Sequence, residues 1–153
     1  MKTAEDIKVV ASNRKARFEY HVTDSLETGI ALVGTEVKSI RAGNVNFQDA
    51  YAAVKDGELF LYSLHISPFE KGNIFNHDPV RVRKLLARRK EIRKLAQSMN
   101  EKGYTLIPLR LYLKGRIVKV EIGVCKGKKM YDKREAVKER DAKRELQRDF
   151  KNA

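Results

Sequence analysis

The stretch from Thr105 to Val124 constrains the fold most tightly. Its two halves, TLIPLRLYL and RIVKVEIGV, alternate apolar with polar residues, are rich in β-formers, and flank Lys114-Gly115, so they predict a β-hairpin. In the second half Val118, Val120, Ile122 and Val124 share one face, while Lys119 and Glu121 share the other. A period of two with one apolar face calls for a half-buried antiparallel sheet, and it places Lys119 outside the core, free to touch a ligand.

Further segments supply partners for that hairpin. Residues 17–22 alternate as Arg17, Phe18, Glu19, Tyr20, His21 and Val22, which reads as a strand, and a second strand, Ile30 to Val33, follows Gly29. In TEVKSIRAG, Thr35 is a candidate N-cap, Val37 and Ile40 are three apart, and Gly43 can close a short helix. NFQDAYAAV and ELFLYSLHI flank Lys55-Asp56-Gly57, a strong hairpin signal. Asp78-Pro79 reads as a helix start, with His77 in the entry turn and the helix running to about Lys102. Phe18, Tyr20, Phe60 and Tyr62 lie at alternating positions and read as core rather than as a base-stacking platform. The pattern predicts a mainly β fold: an OB-like antiparallel barrel of about six strands with two or three peripheral helices.

The chain has 153 residues, enough for one domain with one modest core. From Lys126 onward KGKKMYDKREAVKERDAKRELQRDFKNA has too few large apolar residues to offset the entropy of ordering. The division expected is therefore a barrel over 1–125 and a flexible basic tail over 126–153, with helix-forming residues that can fold on a partner surface. Lys plus Arg number 33 against 20 Asp plus Glu, a formal charge of +13, so a polyanion is the first partner to consider. No apolar stretch is long enough to span a bilayer and MKTAEDIKVV has no signal-peptide core, so a cytoplasmic location is expected, with no membrane partner. The single cysteine, Cys125, reads as a small apolar strand residue.

Enzymatic motifs are missing: His21, His65 and His77 are scattered, and no phosphate loop, nucleophile elbow or metal-ligand spacing is present. No catalytic residue, metal, cofactor or small-molecule substrate is expected. The competing enzyme reading is a basic nuclease using carboxylates such as Glu36 and Asp49.

The densest basic feature is VRVRKLLARRKEIRK, with Arg81, Arg83, Lys84, Arg88, Arg89, Lys90, Arg93 and Lys94 against the single acid Glu91. If it is helical, Leu85, Ile92, Leu95 and Met99 dock on the barrel and the cations face out. Leu86 would then sit among cations as a packing contact for a base or ribose; alternatively the helix breaks near Ala87 and Leu86 is ordinary core. Asn13, Arg14, Lys15 and Arg17 form a second basic set, and Lys38 with Arg41 a third, on one side of the short helix. Together with Lys119 and the KGKK turn these can line a phosphate-tracking surface. That favours shape recognition of a structured RNA, while a general ribosomal or single-stranded-RNA OB protein remains the alternative.

GTEVKSIRAGN (34–44), DAYAAVKDGELFLY (49–62), HDPVRVRKLL (77–86), EKGYTLIPLRLYLKG (101–115) and VKVEIGVCKGKKMYDKR (118–134) stand in an order that resembles the SsrA-binding protein (small protein B) family over about residues 7–134. The resemblance implies an OB-like barrel that binds the tRNA-like domain of tmRNA and delivers it to stalled ribosomes for trans-translation, without catalysis. It implies as partners tmRNA and the ribosome, chiefly the small-subunit decoding site and mRNA channel, with elongation factor Tu a further partner through the same complex. Glu27, Leu86 and Lys119 match family positions implicated in tmRNA binding; a carboxylate can accept hydrogen bonds from base amino groups while cations hold phosphates. Gly127, Lys128 and Lys129 match the start of the tail used on the ribosome, followed by Tyr131, Asp132, Lys133 and Arg134 as ribosome-contacting residues. Tyr131 stands where histidine is common, and Ala87-Arg88 where many relatives have an apolar residue followed by histidine or asparagine.

Overall fold

In a computed structural model, residues 7–69, 76–100 and 103–127 are described. The elements are β1 (Ile7–Ser12), α1 (Arg14–Glu19), β2 (Tyr20–Ile30), α2 (Gly34–Arg41), β3 (Val45–Asn46), β4 (Tyr51–Lys55), β5 (Glu58–Tyr62), β6 (His65–Ile66), β7 (Arg83–Leu86), α3 (Arg89–Asn100), β8 (Tyr104–Lys114) and β9 (Ile117–Gly127). The main sheet runs β1-β8-β4-β5-β7-β2-β9, and β9 also pairs with β8. That last pairing closes β8, β4, β5, β7, β2 and β9 into a ring of six, with β1 laid against β8 outside it. The expected OB-like barrel is therefore present, with three helices around it.

Both expected hairpins form for the reasons their sequences give. Lys55 pairs with Glu58 across Asp56 and Gly57, whose φ values of 53° and 76° satisfy the left-handed requirement of a two-residue turn. Lys114 pairs with Ile117, so the second turn is Gly115-Arg116, one residue later than expected. The core is built from the inward sides of these strands: Leu59, Leu61, Leu85, Leu106, Leu111, Val120 and Ile122 are each at most 1% exposed. Ile40 of α2 and Ile92 and Leu95 of α3 complete it.

Several expectations change. Residues 17–19 belong to α1, and β2 begins only at Tyr20, because Asn13 caps a helix there: its Oδ1 accepts from Ala16 N at 3.2 Å. Phe18 is 82% exposed rather than core. β2 extends through Gly29 to end at Ile30, replacing the separate strand placed at Ile30 to Val33. The helix expected from Asp78 to Lys102 is instead a turn, the strand β7, and α3 starting at Arg89. β1 was not anticipated. Finally, β9 carries the sheet to Gly127, two residues beyond the expected tail boundary.

The break of the expected helix follows from burial of a cation. The Arg83 side chain is 0% exposed, as is that of Glu36 on α2, and Arg83 Nε donates to Glu36 Oε2. Arg83 Nη1 donates to Leu64 O at 2.6 Å and Nη2 to Pro79 O at 3.1 Å. Arg81 Nε adds a bond to Glu36 Oε2 at 3.1 Å. Burial pushes the Glu36 carboxyl up, but the donors from Arg81, Val33 N–H and Arg83 outweigh it and hold the group below the usual carboxylate range. His77 joins the same loop to α2: its ring nitrogens lie 2.8 Å from Thr35 Oγ1 and from Ile66 O. Since a carbonyl only accepts, Nε2 carries the proton and Nδ1 accepts from the threonine hydroxyl.

Candidate nucleic-acid interface

The register of three adjacent strands assembles the residues of most interest. On β2, Gly29 pairs with Leu86 of β7 on one side and with Lys119 of β9 on the other. Two residues back, and so on the same face, Glu27 pairs with Glu121. Val118, Val120 and Ile122 face the core, so this face is the outward one. Glu27, Leu86 and Lys119, separated widely in sequence, thus form one patch around a glycine. Leu86 is 52% exposed there, neither on a helix nor in the core.

The patch has internal order. A Cβ on Gly29 would stand 3.2 Å from Leu86 Cβ, so the missing side chain is what lets Leu86 lie across the strand. Tyr112 of β8 donates from its hydroxyl to Glu27 Oε1 at 2.6 Å, and Lys114 Nζ is 3.5 Å from the same oxygen. The Tyr112 bond, with the charges of Lys114 and Lys119, outweighs partial burial and holds the Glu27 carboxyl below its ordinary range. Burial and the Glu27 bond push the Tyr112 hydroxyl up in turn, so it stays protonated as a donor. Sequence reasoning missed Tyr112, although Arg110, Tyr112 and Lys114 alternate with Leu111 and Leu113.

The other expected residues fall elsewhere. Lys84 shares the outward side of β7 with Leu86, bonded at 3.0 Å to Glu58, and Arg88 is exposed just beyond. Arg83 does not reach any surface: it is buried on Glu36, and its assignment as an RNA contact is corrected accordingly. Arg14, Lys15 and Arg17 are exposed on α1, while the Asn13 amide is used by the fold, donating to Pro108 O at 2.9 Å as well as capping α1. Gly127 pairs with Tyr20, which places it at the α1 end of β9. Ala16 packs with Ile107, Leu109 and Cys125, so α1 covers the outward side of β9 at the end opposite Lys119. Lys38 and Arg41 are exposed on α2, with Lys38 Nζ 5.4 Å from the Phe69 ring centroid. Among the described residues no hydrogen bond or ion pair links them to the Leu86 patch. Lys128, Lys129, Tyr131, Asp132, Lys133 and Arg134 lie outside the described residues.

The carboxylates of the nuclease reading are not available as a pair. Glu36 is enclosed by two arginines, and no group of three or more metal-ligating side chains occurs among the described residues. Nor is any helix among them long and apolar enough to cross a membrane.

Fold and charge together define a small, strongly basic protein of the OB-like barrel class. A family model described as "SmpB protein" matches residues 10–152. A curated SsrA-binding protein of Caldanaerobacter subterraneus is 57% identical over 150 residues, spanning 98% of this chain and 95% of the relative. Those of Desulfitobacterium hafniense and Bacillus velezensis are 56% and 57% identical, over 97% and 95% of this chain and 96% and 93% of theirs. A solved chain described as "tmRNA-SmpB: a journey to the center of the bacterial ribosome" superposes with a TM-score of 0.67 at 48% identity, covering 77% of this chain and 83% of that one. The chain belongs to the SmpB, or SsrA-binding, protein family.

Proposed function

We propose that this protein is a non-catalytic adaptor that binds the tRNA-like domain of tmRNA and carries it to stalled ribosomes for trans-translation, in the cytoplasm. The observation that carries the reading is the assembly of Glu27, Leu86 and Lys119 on one outward patch, joined to the family membership. The patch combines three modes of contact: a carboxylate that accepts from base amino groups, an apolar side chain that packs on a base or ribose, and a lysine that meets a phosphate. Strong net positive charge supplies the salt-sensitive, sequence-independent part of affinity. Lys84, Arg88, Arg14, Lys15, Arg17, Lys38 and Arg41 contribute to that part from around the barrel.

Residues 128–153 act as a separate element in this reading, with Tyr131, Asp132, Lys133 and Arg134 meeting the ribosomal decoding site and mRNA channel, and elongation factor Tu joining through the tmRNA complex. The test is filter binding against tmRNA and an unrelated tRNA, over a range of salt concentrations. Affinity is expected to be higher for tmRNA and to fall steeply with salt; equal affinity for both RNAs would instead make this a general RNA-binding barrel. Removing residues 130–153 is expected to spare tmRNA binding and abolish rescue of stalled ribosomes in a tagging assay.

A further inference from the structure

Both protein partners of the Glu27 carboxylate meet one oxygen. Tyr112 donates to Oε1 at 2.6 Å and Lys114 Nζ lies 3.5 Å from it; among the described residues no hydrogen bond reaches Oε2. Tyr112 is fixed in its turn. It is 3% exposed although it stands on the outward side, the Arg110 guanidinium lies 4.6 Å from its ring centroid, and Arg110 Nε is tied to Glu121 Oε2 at 3.1 Å. Tyr112 pairs with Lys119 and Glu27 with Glu121, so the phenol crosses β9 on a diagonal to reach β2.

An ionised carboxylate accepts hydrogen bonds and repels phosphate. RNA offers it base amino and imino groups and the ribose 2′-hydroxyl as donors, and of these only the base groups differ from one nucleotide to another, so they are the groups through which it can select. An acceptor discriminates between bases only if its direction is fixed before the ligand arrives. We propose that Tyr112 is a positioning residue for RNA recognition: it occupies Oε1, holds the carboxylate against rotation, and leaves Oε2 as the acceptor for one nucleobase amino or imino group. Arg110 and Glu121 lock the tyrosine. The inference rests on the RNA-binding reading given above and adds to it a residue, an atom and a class of ligand group.

Tyr112→Phe keeps the ring and its contact with Arg110 and removes only the hydroxyl. Affinity for the tRNA-like part of tmRNA is expected to fall roughly tenfold, the scale of one charge-assisted hydrogen bond. In a Glu27→Ala background the same change is expected to add nothing, because the tyrosine acts through the carboxylate. Carboxyl NMR of the free full-length protein is expected to place the Glu27 titration midpoint higher in Tyr112→Phe than in the wild type. An equal loss of affinity in both backgrounds, or an unmoved Glu27 midpoint, would overturn the proposal. A wild type that ignores tmRNA would overturn the functional reading and this inference with it; wild-type binding with an uncoupled double-mutant cycle would overturn this inference alone.

Discussion

Leu86 lies across the bare α-carbon of Gly29, close enough that a Cβ there would meet Leu86 Cβ at 3.2 Å and Cδ1 at 3.4 Å. The glycine is not needed for an unusual backbone angle, since it carries no positive φ. Its lack of a side chain sets where an exposed apolar group rests. Gly29→Val is therefore expected to lower tmRNA affinity about as much as Leu86→Ala does, on the order of tenfold, by displacing a packing contact. Circular dichroism should show the fold retained in both; an unchanged affinity in Gly29→Val would mean that the position of Leu86 is immaterial.

Lys119 stands on the outward side of β9 beside that pair. Replacing it with alanine is expected to weaken tmRNA binding and to reduce the slope of log affinity against log salt by about one, the signature of one lost phosphate contact. The melting temperature should change by no more than a few degrees. A collapse in thermal stability would show that the lysine supports the barrel.

The pairing of Glu36 with Arg81 and Arg83 leads to a stability prediction. Removing Glu36 leaves the buried Arg83 charge uncompensated, so Glu36→Ala is expected to cost about 3–5 kcal/mol, whereas Arg83→Met, which leaves Glu36 paired with Arg81, is expected to cost less. Replacing both with apolar residues of similar volume should cost much less. Urea unfolding of the single and double variants measures this directly, and additive losses would contradict it.

Acid should act through the same carboxylates. Glu27 and Glu36 are both held below their ordinary value of 4.5, so below that value the unfolded chain binds more protons than the folded one. Stability contributed by these groups is therefore fully present above about pH 4.5 and is lost as pH falls through their folded values. Glu36→Gln should flatten the acid limb of melting temperature against pH; Glu27, which is partly solvated, should contribute less.

The hairpins were legible because each declares itself locally, through a period of two and a turn that needs left-handed residues. Residues 78–88 were misread for a physical reason. Placing every arginine on the outside forces a helical spacing there, whereas allowing Arg83 inward gives strict alternation: Val82 out, Arg83 in, Lys84 out, Leu85 in, Leu86 out. The licence for a buried arginine comes from Glu36, a partner distant in sequence that no local pattern reveals. Residues 17–19 alternate as a strand would, yet the Asn13 cap and the contact of Ala16 with Cys125 favour a helix. The site fared better in its members than in its layout. Glu27, Leu86 and Lys119 were identified by resemblance, but their meeting around Gly29 depends on strand register, and Tyr112 enters only when β2 is placed on the far side of β9 from β8.

β9 connects two ends of the molecule with a single unbroken strand. Lys119 sits at one end and Gly127, after which the basic tail begins, at the other. At ~3.3 Å per residue the span is about 26 Å. Under the proposed function the strand is a fixed spacer: whatever grips the Lys119 corner and whatever receives the chain after Gly127 would have to present themselves at that separation, and lengthening the strand is expected to put the two out of step.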